Sequence, residues 1–101
     1  MIEEGSKQSR LTEKQKRVLS QALWDLNLSP DDFLEIIEGR SSRRWPERGF
    51  CVARLLESVN WLKIVEIIDP RVLCGAWETA RRYVRMNEIK EGMDFACRAL
   101  R

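Results

Sequence analysis

Three kinds of side chain in this 101-residue sequence have types that chemistry could use: the cysteines, two adjacent aspartates, and a run of arginines around a tryptophan. Cys51, Cys74 and Cys97 act as nucleophiles or metal ligands only as thiolates. The sequence has no histidine, which removes the usual general base for a cysteine and the commonest metal ligand. Each cysteine lies in an apolar stretch, where a small buried hydrophobe is the default role. A helix-start thiolate at Cys51 or Cys74 stays open. Asp31 and Asp32 are neighbours, so on a helix they point about 100° apart and do not converge on one substrate. The positive end of a helix dipole accounts for both. Neither glycine-rich phosphate-loop pattern occurs. The sequence therefore predicts no catalytic residue, no cofactor and no metal: not an enzyme.

The arginines are the sharper signal. The net charge is only +2, but segment 40–48 (RSSRRWPER) concentrates it. Residues 39–48 carry four positive and one negative side chain, whereas residues 1–38 carry five positive and eight negative. Arg40, Arg43, Arg44 and Arg48 could meet phosphates while Trp45 stacks on a base. Arg81, Arg82 and Arg85 extend that patch if the two stretches adjoin. The alternative is a solvated loop whose arginines answer the acids of residues 31–38, with Trp45 folded onto the core. A third use is a protein interface, where Trp and Arg are the enriched hot-spot residues. The sequence has four tryptophans, and Trp24 falls off the apolar stripe of its helix.

These eight residues, Arg40, Arg43, Arg44, Trp45, Arg48, Arg81, Arg82 and Arg85, form the candidate binding surface. The leading expectation is a small, soluble, non-catalytic protein–protein interaction module, with another protein or a second copy as partner. The alternative is a nucleic-acid-binding regulator working through segment 40–48. A helix, a glycine and then arginines also follow one another in helix-turn-helix repressors. Here Pro46 would fall inside the recognition helix, at a cost of roughly 3 kcal/mol, so that motif is not assigned.

An odd number of cysteines without a CxxC pair reads as reduced thiols in a cytoplasmic protein. Their even spacing of 23 residues carries no repeat, because the residues that follow each one differ. No apolar leader follows a basic start. The longest apolar-rich run, 61–68, is too short to span a bilayer, so no membrane role is expected.

The elements that must position these residues are helical. Thr12 and Gln15 make a capping box ahead of a helix over 13–26, with Leu11, Val18, Leu19, Ala22, Leu23 and Leu26 on one stripe. Ser29-Pro30-Asp31-Asp32 is a strong helix start, and Gly39 suits a left-handed C-terminal cap. The apolar stretch 50–68, one helix or two, is the central element. Asp69-Pro70 opens a helix over 70–86, with an i,i+4 pair between Glu78 and Arg82. Asn87 caps a last helix. No run alternates with period two, so no sheet is expected. The prediction is an all-α fold, a compact bundle of four to five helices. Residues 1–10 form a disordered N-terminal tail and 11–101 a single helical domain.

Overall fold

The computed structural model describes residues 11–100. They form seven helices: α1 Glu13–Ser20, α2 Pro30–Ile37, α3 Arg48–Ser58, α4 Trp61–Val65, α5 Pro70–Gly75, α6 Trp77–Arg81 and α7 Asn87–Ala99. No strand occurs among the described residues. The tail expected over residues 1–10 lies outside them. The all-helical class stands, but seven short helices replace the expected four to five.

The extra elements arise where the chain breaks periodicity to bury a side chain or satisfy a carbonyl. The helix expected over 13–26 ends at Ser20, and i→i+3 bonds carry the chain through Gln21–Leu26 as tight turns. Ala22 and Leu23 stay buried across those turns. The 50–68 stretch is two helices. Val59 and Asn60 take extended backbone, and Asn60 caps α4 by accepting from the Leu62 amide at 2.8 Å. The stretch 70–86 breaks at Ala76 into α5 and α6. Asn87 is the first residue of α7 rather than its cap; Met86 holds the cap position without a side-chain bond.

Three expected starts are present atom by atom. Thr12 accepts from the Gln15 amide while Gln15 accepts from the Thr12 amide. Ser29 accepts from Asp32 and Asp69 from Arg71. Each such cap is worth about 1 kcal/mol. Gly39 closes α2 at φ 78°, where a Cβ would be strained.

α3 is the centre of the core. It packs most extensively on α6 and then on α2, while α1 rests on α2. Val52 and Leu55 of α3 are fully buried, as are Phe33, Ile37 and Leu73, each burial contributing about 1.5–3 kcal/mol. The α3–α6 crossing is close because Gly49 has no side chain: a Cβ there would lie 2.5 Å from Thr79 Cγ2.

The cysteines depart from expectation. Cys74 of α5 and Cys97 of α7 form a disulfide, with Cα atoms 5.3 Å apart. Only Cys51 is a free, buried thiol. The pairing escaped a search for sequence repeats because it depends on where α7 returns to α5. It also removes the thiol count as a pointer to a reducing compartment. Among the described residues, no helix is long and apolar enough to cross a membrane.

Candidate functional site: an aromatic and arginine face

The residues expected to form one basic surface are drawn to four different tasks. Arg40 pairs with Glu38, just past α2, and Arg43 reaches Asp32 in α2 at 3.2 Å, so both answer acids of residues 31–38. Arg48 turns inward: its Nε donates to the Ile37 carbonyl at 2.7 Å and its Nη2 to the Val72 carbonyl at 3.2 Å. Arg81 turns toward α7 and forks onto Asp94 through Nε and Nη2, both at 3.0 Å. That carboxylate also accepts from Trp77 Nε1 at 2.7 Å. These donors hold the Asp94 carboxyl at about 2, well below its ordinary 3.8. Arg44, Arg82 and Arg85 are exposed.

Trp45 does not enter the core. It is 58 % exposed, at the end of the loop before α3, where the Trp45–Pro46 peptide is cis and Pro46 is the buried member. The indole rests on Phe50, ring centroids 4.9 Å apart, and Phe50 meets Tyr83 edge-on at 5.6 Å. The expected fold-back of Trp45 fails because Phe50 is itself only half-buried, and the indole adds to the outside of it. Tyr83 donates its hydroxyl to Glu47 at 2.9 Å, and this bond raises the phenol's pKa.

Arg54 extends the row to Trp24. Its guanidinium lies 5.3 Å from the Phe50 ring centroid and 5.8 Å from that of Trp24. It is held in place by both carboxylate oxygens of Asp25 and by the Ala22 carbonyl. The pairing raises the arginine's pKa and lowers the aspartate's. Trp24 is 78 % exposed, the most exposed large apolar side chain among the described residues. A groove of about 340 Å³ runs between these groups, with Trp24, Phe50 and Tyr83 as apolar walls and Arg54, Glu57 and Arg85 as polar ones.

The sequence pointed to Trp45 and Arg85 but missed Arg54, Phe50, Tyr83 and Trp24 as members of one face. Phe50 and Tyr83 sit on apolar stripes and read as core. Arg54 lies outside both arginine clusters of the sequence. Trp24, lying off its stripe, was the one available signal.

No polar or charged side chain among the described residues is fully buried, and none of their acids and cysteines gather into a metal-binding group. Burial pushes the Cys51 thiol up to about 12, the wrong direction for a nucleophile. The face instead offers flat aromatic surface, a fixed planar cation and a shallow groove, the elements from which interface hot spots are made. No protein-family model, curated protein or solved structure matches this chain.

Proposed function

We propose that this chain is a non-catalytic protein–protein interaction module whose docking face is the row Trp24, Arg54, Phe50, Trp45 and Tyr83. The observation that carries the proposal is the arginine clamped between rings. Arg54 is fixed by Asp25 between Trp24 and Phe50, while Trp24 and Trp45 stay open to solvent. Rigid aromatic anchors lose little conformational freedom on binding, so a preorganised row of this kind supports recognition. The groove beside it gives a partner side chain somewhere to enter.

Nucleic acid is the second reading, favoured by exposed Trp45 next to exposed Arg44, with Arg85 lining the groove. Stacking and phosphate contact need such pairs. It ranks below the first because Arg40, Arg43, Arg54 and Arg81 each already hold a carboxylate. A phosphate backbone would have to displace these pairs.

Affinity capture with the immobilised chain tests the first reading. A protein retained by the wild type and lost from Trp24→Ala/Trp45→Ala supports it; identical capture by both overturns it. Tryptophan fluorescence titrated with a single-stranded oligonucleotide at low salt tests the second. Quenching that weakens steeply with added salt would move nucleic acid to first place.

A further inference from the structure

A second surface lies on α7, away from the aromatic row. Along this helix Glu88, Gly92, Phe95 and Ala99 follow the i, i+4, i+7, i+11 spacing of a helix-pairing seam, and all four are exposed. Phe95 is 70 % exposed. Beside it, between α7 and the α3–α4 segment, an apolar groove of about 260 Å³ is lined by Leu56, Trp61, Ile64, Ile89, Gly92 and Met93. Gly92 is the gap in its wall: a Cβ at that position would meet nothing within 4 Å. Within one chain, the glycine has no packing role and weakens the helix by the usual penalty against alanine.

We infer that a second copy of this chain docks on α7, antiparallel and about a two-fold axis, with Phe95 of each copy seated in the other's groove over Gly92. Knob and hole lie three residues apart on one helix, which is the self-complementary arrangement a two-fold interface requires. Charge selects the direction. Glu91 and Arg98 lie one heptad apart on the same flank of the seam, and both are exposed. Antiparallel pairing sets Glu91 of one copy near Arg98 of the other, twice over. Parallel pairing would turn the two equivalent flanks away from each other, so Glu91 and Arg98 would not meet. Asp94, one turn before Arg98, attracts it without a direct bond, while its own oxygens accept from Arg81 and Trp77. The inference deepens the interaction-module reading by naming one partner, but it uses a different face.

Sedimentation equilibrium on the full chain, from about 10 μM to about 1 mM, spans the range for a small interface. The expected result is a reversible monomer–dimer equilibrium that Phe95→Asp weakens by about thirtyfold or more. Gly92→Ala should raise the thermal midpoint of the monomer and yet weaken the dimer, opposite signs that a purely structural role would not give. Glu91→Arg should weaken association, and Glu91→Arg/Arg98→Glu should restore it. A chain that stays monomeric throughout, or a dimer indifferent to both Phe95→Asp and Gly92→Ala, overturns the inference. Trp24→Ala/Trp45→Ala should dimerise like the wild type. If it does not, self-association runs through the aromatic row and the α7 assignment is wrong. A monomer that still captures protein through Trp24 overturns the α7 dimer alone and leaves the proposed function standing.

Discussion

The guanidinium of Arg48, at the start of α3, donates to the carbonyl of Ile37, at the end of α2. It also reaches the Val72 carbonyl in α5. Gly39 and Gly75 flank it: a Cβ added at either would sit 3.6 or 3.5 Å away, in ordinary van der Waals contact. An arginine within a basic run is thus a three-helix tie. Arg48→Ala leaves helix-end carbonyls without a donor and should cost about 1–3 kcal/mol in urea unfolding. Arg48→Lys should recover only part, since an ammonium lacks the planar fork. Arg44→Ala, on the exposed side of the same loop, should stay within about 0.5 kcal/mol.

Gly49 sets the approach of α3 to α6. Its alanine variant drives a methyl into Thr79, whose Cγ2 and Cβ stand 2.5 and 2.9 Å from the new atom. The cost should be that of overpacking a tight contact, about 1–3 kcal/mol. Adding Thr79→Ser removes the nearer atom and should return part of it. Thermal unfolding of the two single variants and the double variant checks this coupling.

The contrast between the helix caps and the tryptophans shows what could be read in advance. Thr12, Ser29 and Asp69 were legible as caps because capping is a local bond between residues two or three apart. Gly39 was legible for the same reason. The long-range partners were not. Nothing near Gly49 announces Thr79, and nothing near Arg48 announces Val72. Cys74 and Cys97 look like two core residues until α7 folds back onto α5. Phe50 is half-buried, a state that periodicity does not separate from burial, and Trp45 followed it outward. The aromatic face was therefore visible only as scattered letters, Trp24 and Trp45 among them.

The cysteines give a direct count. Without reductant, the native chain should react with no iodoacetamide at mildly alkaline pH, since Cys51 is buried with its thiol near 12. Denaturant should release one reactive thiol, and denaturant with reductant all three. Mass spectrometry of the alkylated chain distinguishes the states. Two thiols reactive in the native chain would contradict the Cys74–Cys97 bond.

Asp94 makes stability depend on acid. Its carboxyl titrates at about 2 in the fold against 3.8 ordinarily, so the folded state holds that proton less tightly than the unfolded chain. The resulting stabilisation is fully present above pH 3.8 and is lost as pH falls through about 2. Asp25, lowered by Arg54, acts with the same sign, so the test is a difference. The melting temperature of the wild type minus that of Asp94→Asn should be flat above pH 3.8 and shrink below it. A difference independent of pH would mean that the Arg81 and Trp77 bonds do not favour the charged form.

The clamp on Arg54 decides how well the aromatic row is preorganised. Trp24 touches a cation that Asp25 and the Ala22 carbonyl hold still, so the indole is positioned before any partner arrives. A double-mutant cycle between Arg54→Leu and Trp24→Ala should show a coupling of about 0.5–1 kcal/mol, the scale of an exposed cation–π contact. Asp25→Asn should loosen Arg54 without touching Trp24, and so shrink the coupling. The near-ultraviolet circular dichroism of Trp24 should fall in step. If capture of a partner weakens in Asp25→Asn as it does in Trp24→Ala, preorganisation itself contributes to recognition. If Asp25→Asn captures normally while the circular dichroism falls, the indole binds by its surface alone and its fixed pose adds nothing.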